Sequence, residues 1–473
     1  MSTEIKKGGF SGGIGFVLAA AGSAVGLGNL WRFPTLASKY GGGLFLIVYL
    51  VMVLTFGFSL LMTDIAIGRK TGKSSIDAYK HVHPKWGFLG KLTFAVPCII
   101  ITYYVVIGGW ILKYMVSSVT EFAATSGEGF FTNFIVDEKS TIFWMFIFLA
   151  ITAFVVYCGV EKGIEKFSKY IMPALIVLVL GIAVFVLFSK GDDGRTGFGG
   201  FLKYVTPDFT ALQKAEGGIN FSKILNLVLD AMSQLFFSLS VAMGIMITYG
   251  SYVKKEIDLN KSVKQIEIFD TAVAFLAGMI VIPAVYTFSS LGEISNAGPG
   301  VIFIALPKVF SQMGAAGKVV GPVFFLMVAF AALTSSVSIM EAIVGACTET
   351  FKTTRKKASL IISGLSLVAA VVVCLGYHTL SFNVTLPTGA QNQNLLDVLD
   401  YVSNNLLMPI ISFLTCVVIG WVVKPEWIIE EVESSGAKFS RKKLYAIMIK
   451  YVAPALLFVL FLQSIGVFNF LAK

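Results

Sequence analysis

Apolar runs of roughly 18 or more residues, each long enough to cross a hydrocarbon core of about 30 Å as a helix, recur along the chain between short polar segments. The pattern predicts eleven spanning helices, at 13–38, 43–68, 92–118, 141–158, 167–189, 224–250, 266–290, 319–347, 359–377, 396–423 and 444–470. A short polar stretch with Lys6 and Lys7 precedes the first, without a small-residue cleavage site, so that helix is expected to be retained. The expected fold class is an all-α membrane protein.

Two of these helices are interrupted, the first by SAVGLGN at 23–29 and the sixth by SLSVAMG at 238–244. A lone glycine pair in a membrane helix reads first as a device for close packing. Two breaks five helices apart, each flanked by polar side chains, read as the paired interrupted helices of an inverted repeat, which mark a midplane binding site. Unwound backbone at that depth leaves amides and carbonyls in need of an ion or a substrate. The expected organisation is a first repeat over 1–190 and an outer loop over 191–222. A second repeat follows over 223–423 with an outer lid at 291–316, then an inner loop and the last helix over 424–473. The glycine-rich loop after the fifth helix is expected to be mobile, and neither it nor the lid has enough apolar sequence for a core of its own.

Composition agrees: 56% of residues are hydrophobic and 14% charged, with mean hydropathy +0.82. The net charge of +10 is a matter of placement and does not point to nucleic acid. With the amino terminus in the cytoplasm, the inner segments hold 24 Lys and Arg and the outer segments 10, five of these in the long 190–223 loop. Eleven spans then put the carboxyl terminus outside. Cys98, Cys158, Cys347, Cys374 and Cys416 are scattered without paired spacing, and His81, His83 and His378 fall in loops or at span ends, so neither disulfide nor metal cluster is expected. No nucleophile with a positioned base and no phosphate loop is legible, which argues against an enzyme.

AGSAVGLGNLWRFP at 21–34 with GGGLFLIVYL after it, QLFFSLSVAMG and LTSSVSIM together resemble the neurotransmitter:sodium symporter family, from about Lys7 to beyond Asp400. The resemblance implies a LeuT-like 5+5 inverted repeat with helices 1 and 6 unwound and two bound sodium ions, hard cations that take oxygen ligands. One site would use the Ala24 carbonyl, Asn29, Ser238, Asp270 and the substrate carboxylate; the second would use the carbonyls of Gly22, Val25 and Ala331 with the hydroxyls of Thr334 and Ser335. Taken alone, those two hydroxyls read equally as bonded back to their own helix. Ser238 stands where threonine is common and Asp270 where asparagine is usual. A carboxylate there implies chloride independence; the alternative is an acid nearer the cytoplasm paired with Lys264.

The substrate pocket follows from the same resemblance. Helix half-ends near Gly26 and Gly28 suit a carboxylate, and Gly26 takes the place of an aspartate found in monoamine carriers, so the substrate should be an amino acid. Its amino group would meet Ala24, Phe237 and Ser240. Its side chain would face Ser23, Leu27, Ile100, Tyr104, Phe237, Met243, Ser335 and Ile339, a lining for a neutral, hydrophobic or aromatic group, with Ala242 trimming the pocket.

Arg32, about 6 Å beyond Gly28 along a helix, and Asp400 imply an outer gate, with Asp397 as a second acceptor; a static ion pair is the alternative. The inner gate would be Lys7, Phe10, Tyr252 and Glu349, in place of the usual arginine and tryptophan, and Glu341 adds a charge of unassigned role. Gly163 and Pro173 imply a fifth helix able to unwind toward the second sodium site. The expectation is a sodium-coupled symporter for neutral amino acids in a bacterial inner membrane. A proton-coupled transporter and a non-transporting sensor of the same fold are the rivals.

Overall fold

The computed structural model describes residues 9–127, 129–213, 218, 220–289 and 300–468. Among them there is no β-strand, only three isolated bridges. The long helices are α1 (Gly13–Ala24 and Gly28–Lys39), α2 (Gly43–Thr71), α3 (Pro84–Thr120), α4 (Glu138–Tyr157) and α5 (Val160–Leu187). Then come α6 (Phe221–Leu239 and Ile245–Gly250), α7 (Leu259–Phe288), α8 (Gly317–Thr350), α9 (Arg355–Leu375), α10 (Leu395–Val422) and α11 (Lys442–Ser464).

Nine of these are long and apolar enough to span a membrane, or ten if the two halves of α1 make one span. The broken α6 occupies the place of the expected sixth span but falls outside that set, because Lys223, Asn226, Asp230, Ser233 and Gln234 lower its apolarity and 240–244 interrupts it. The predicted sequence breaks are the structural ones. The halves of α1 meet at 54° across Val25–Leu27. In α6, Ser240 (φ 53°), Ala242 (φ 61°) and Gly244 (φ 72°) are left-handed, which no helix continues through.

Burial sorts the bundle. In α8, 83% of the apolar window is inside the protein, against 33% in α5 and in α9. The broken helices therefore lie with α3 and α8 at the centre, while α4, α5, α9 and α11 turn apolar side chains outward, as lipid-facing helices do. Prolines 97, 173, 283 and 322 sit inside long helices, tolerated where neighbouring helices satisfy the freed carbonyls.

The connections carry more structure than their composition suggests. The segment expected to be a mobile loop contains a helix, Gly197–Val205, capped by Thr196 and packed on α7 through the Tyr204 hydroxyl, which donates to the Phe275 carbonyl (3.1 Å). Its alternating glycines and aromatics are a helix face fitted against another helix: a Cβ on Gly200 would stand 2.6 Å from Pro283. The expected lid holds Val301–Gln312; its 291–299 portion lies outside the described residues.

Candidate functional site

The two breaks face each other. Ser240, turned by its left-handed backbone, donates to the Ser23 carbonyl (3.1 Å), and the two hydroxyls are 3.0 Å apart. The Ala242 amide, released from helical bonding, donates to Asp64 of α2 (3.0 Å). Ala242 is thus part of the turn and does not line the cavity, which corrects the expected trimming of the pocket. Asp64, not singled out from the sequence, is the acceptor that holds the turn.

Between the breaks lies a small cavity lined by Ser23, Gly26, Ile100, Tyr104, Phe237, Ser240, Met243, Ser335 and Ile339. All nine are candidate pocket residues. Leu27, Ala24, Gly28 and Ser238, also candidates, are buried beside the cavity and do not line it. Gly26 is required by space: a Cβ there would come within 2.7 Å of Ser335 Oγ and 3.6 Å of the Tyr104 hydroxyl. At Gly28 a Cβ would meet the Phe237 ring at 2.4 Å. The buried Tyr104 hydroxyl faces the cavity beside Ser335 and the Leu27 backbone.

Next to the cavity, Asp270 is fully buried. Its Oδ1 accepts from Asn29 Nδ2 (2.7 Å) and Ser238 Oγ (2.6 Å), and the buried Tyr49 hydroxyl also faces the carboxylate. The Asn29 carbonyl oxygen takes the Gly26 amide (3.2 Å). Lys264 instead donates to Ser440 (2.9 Å), so the alternative of an Asp270–Lys264 pair is set aside. A buried carboxylate among amide and hydroxyl oxygens is a donor set that fits a hard monovalent cation.

At the second candidate cation site, Thr334 bonds back to the carbonyls of Phe330 (3.1 Å) and Ala331 (3.0 Å). Ser335 reaches across to the carbonyls of Ser23 (3.2 Å) and Val25 (3.5 Å). A Cβ on Gly22 would touch Thr334 at 3.3 Å, so Gly22, Val25, Ala331, Thr334 and Ser335 do converge at the α1 break.

At the outer end of the bundle the expected gate residues take other partners. Arg32 donates to Ser233 Oγ (2.7 Å), not to Asp400, whose carboxylate takes Asn404 Nδ2 (2.6 Å). Arg32 and Asp400 make no direct ion pair in this conformation. Asp397 caps α10 through Asn394 and is no second acceptor. Beside Arg32, Tyr40 donates to Asp230 (2.6 Å); burial first and the Asp230 charge second push its hydroxyl well up, and it stays protonated.

At the other end, Lys7 lies outside the described residues. Phe10 packs on Phe16, Tyr249 and Tyr252. Glu349 pairs with Lys73 (3.0 Å) and accepts from Ser74, whereas the Tyr252 hydroxyl donates to Glu341 (2.8 Å). Glu341, whose charge the sequence left unassigned, has both its oxygens gripped by Arg355, at the start of α9. In α5, Gly163 lies in a π-helical turn, Val160–Glu165, and the helix is wound through Pro173. Glu165 of that turn accepts from the amide and hydroxyl of Ser11, fastening the start of α1 to it.

The chain matches the description "Sodium:neurotransmitter symporter family" over residues 7–140 and 130–472. It is 32% identical over 470 residues to an uncharacterized sodium-dependent transporter of Bacillus subtilis (strain 168), covering 97% of each chain. With sodium- and chloride-dependent GABA transporter 2 of Homo sapiens the identity is 24%, over 78% of this chain and 67% of that protein. The crystal structure of MhsT in complex with L-phenylalanine superposes with a TM-score of 0.83 at 31% identity, over 97% of this chain and all of that one. The described fold is thus shared with a transporter over nearly the whole chain, and the chain is a sodium-dependent transporter belonging to the sodium:neurotransmitter symporter family.

Proposed function

We propose that this transporter is a chloride-independent symporter that couples two sodium ions to a neutral, hydrophobic or aromatic amino acid. The observation that carries the reading is the cavity between the breaks. Its floor at Gly26 is bare backbone, the Tyr104 hydroxyl points to the same spot, Ser23, Ser240 and Ser335 gather at the helix breaks, and the remaining lining is Ile100, Phe237, Met243 and Ile339. A substrate carboxylate would take the hydroxyl and the freed amides of α1, and an apolar side chain would fill the remainder. MhsT, of similar sequence and fold, holds L-phenylalanine.

The carboxylate would also complete the first sodium shell with Ala24, Asn29, Ser238 and Asp270, which couples ion to substrate. Because Asp270 supplies a negative charge, no chloride is needed to balance the ion. Sodium moving inward is worth about 2.3 kcal/mol per elementary charge per 100 mV, and alternate opening of the Arg32–Asp400 end and the Glu341–Arg355 end converts that into accumulation. In this reading 1–190 and 223–423 are the two repeats, eleven helices span the membrane, and the amino terminus is cytoplasmic. Equilibrium binding of labelled L-phenylalanine to the purified protein in sodium and in potassium tests it: sodium-dependent, chloride-independent binding is expected, and binding indifferent to sodium would contradict it.

A further inference from the structure

A groove runs along the outside of the bundle between α2 and α7. Its walls are Leu46, Leu50 and Val53 from α2 and Ile268, Ala272 and Phe275 from α7. Ile268 is 67% exposed and Leu50 48%, so the walls face outward where lipid would lie. One end is different in kind: Lys264, Glu267 and Arg441 close it. From Lys264 to Phe275 is eleven residues of α7, about 16 Å at ~1.5 Å each, close to half of the ~30 Å hydrocarbon core. The groove thus leads from a charged cluster near the start of α7 to an apolar stretch about as long as half the hydrocarbon core.

The charged end is built and incompletely satisfied. Arg441 stacks over the Phe58 ring (4.4 Å to the centroid), and only its Nη1 has protein acceptors, both long: Glu267 Oε2 and the Leu54 carbonyl, each at 3.3 Å. That carbonyl belongs to the π-helical turn Val53–Gly57 of α2, whose widened geometry aims it outward. Nη2 and Nε of Arg441 donate to no described residue, and the side chain is 25% exposed. Lys264 spends one donor on Ser440. Glu267 is 3% exposed, and its Oε1 has no partner among the described residues. Two cations face one carboxylate. Exposed Lys261, one turn before Lys264, and exposed Lys438, whose carbonyl takes Asn260, add to the positive side.

We infer that this groove binds one anionic glycerophospholipid, with its phosphate on Arg441 and Lys264 and an acyl chain laid between α2 and α7. A guanidinium with an unused edge beside an ammonium is a phosphate-binding arrangement, and basic pockets between helices on the cytoplasmic side take anionic headgroups. A hydroxyl-bearing headgroup, as in phosphatidylglycerol, also offers a donor to the orphaned Glu267 oxygen. Because Asp270 lies one turn further along α7 than Glu267, the lipid would pack on the outer side of the helix that carries a candidate sodium ligand.

The test is native mass spectrometry of the delipidated full chain after incubation with phosphatidylglycerol, phosphatidylethanolamine or phosphatidylcholine. Wild type should retain a single phosphatidylglycerol and hold the other two roughly tenfold more weakly. Lys264→Gln with Arg441→Gln should lose that preference. Ala272→Trp, a change at an exposed groove position that leaves the charged end intact, should lose retention by blocking the chain, with an unchanged melting temperature reporting an intact fold. Equal retention of all three lipids by wild type, or undiminished phosphatidylglycerol retention in Ala272→Trp, would overturn the assignment.

Discussion

The hydroxyls of Ser23 and Ser240 lie 3.0 Å apart although 217 residues separate them, and that contact joins the two interrupted helices at the cavity. Both residues sit where the chain has given up helical bonding, and each replaces part of the lost bonding with the other. The break in α6 is not relaxed, however. Ala242 holds φ at 61° with a Cβ present, and its amide depends on a single buried carboxylate, Asp64.

Ala242→Gly should therefore stabilise the protein by about 1–2 kcal/mol, the usual cost of left-handed backbone for a residue with a Cβ. Asp64→Ala should destabilise it by about 1–3 kcal/mol by leaving a buried amide without an acceptor. Thermal melting in detergent reads both. An unchanged melting temperature in Asp64→Ala would mean that the turn is held by something else.

Glu341 is wholly buried and Arg355 is its bidentate partner. Removing the arginine alone strands a buried carboxylate, at a cost on the order of 3–5 kcal/mol, whereas replacing both with glutamine removes the uncompensated charge. Arg355→Ala should be the more damaging change by melting temperature, with the double replacement closer to wild type. Additive effects of the two single changes would show that the pair is not coupled.

Asp270→Asn removes the charge that we propose stands in for chloride, while keeping the size and one oxygen of the side chain. Sodium-driven uptake by this variant should fall in chloride-free buffer and recover when chloride is added. Wild type should ignore chloride. Full activity of the variant without chloride would remove Asp270 from charge balance.

Thr334→Ala and Ser335→Ala separate two roles. Ser335 already reaches the α1 break, at 3.2 Å from the Ser23 carbonyl, while Thr334 is bonded within its own helix. Either change should weaken the dependence of binding on sodium, and the pair should abolish it, as read by titrating sodium at fixed labelled amino acid. A sodium response left intact in the double variant would exclude both hydroxyls from an ion site.

How much of this was legible in the sequence depended on how local the signal was. The breaks at 23–29 and 238–244 were readable because glycine and hydroxyl residues in an otherwise apolar run are a local signature. The nine residues around the cavity were readable through family resemblance anchored on those breaks. The partners of the charges were not. Asp64 meets Ala242 across 178 residues, Arg355 meets Glu341 from the next helix, and Arg32 chooses Ser233 over Asp400. Such pairings are set by helix rotation in three dimensions, which periodicity along one helix does not encode. The helix at Gly197–Val205 was hidden for another reason: its glycines read as loop, yet they serve close approach to α7.

The most direct test of the central claim is uptake of labelled L-phenylalanine and a panel of other neutral amino acids into proteoliposomes. An inward sodium gradient is compared with potassium, with choline and with a proton gradient alone, each with and without chloride. Accumulation above the outside concentration, driven by sodium in the absence of chloride and strongest for apolar or aromatic side chains, is the predicted result. Saturable binding without accumulation, or accumulation driven by protons alone, would contradict the account.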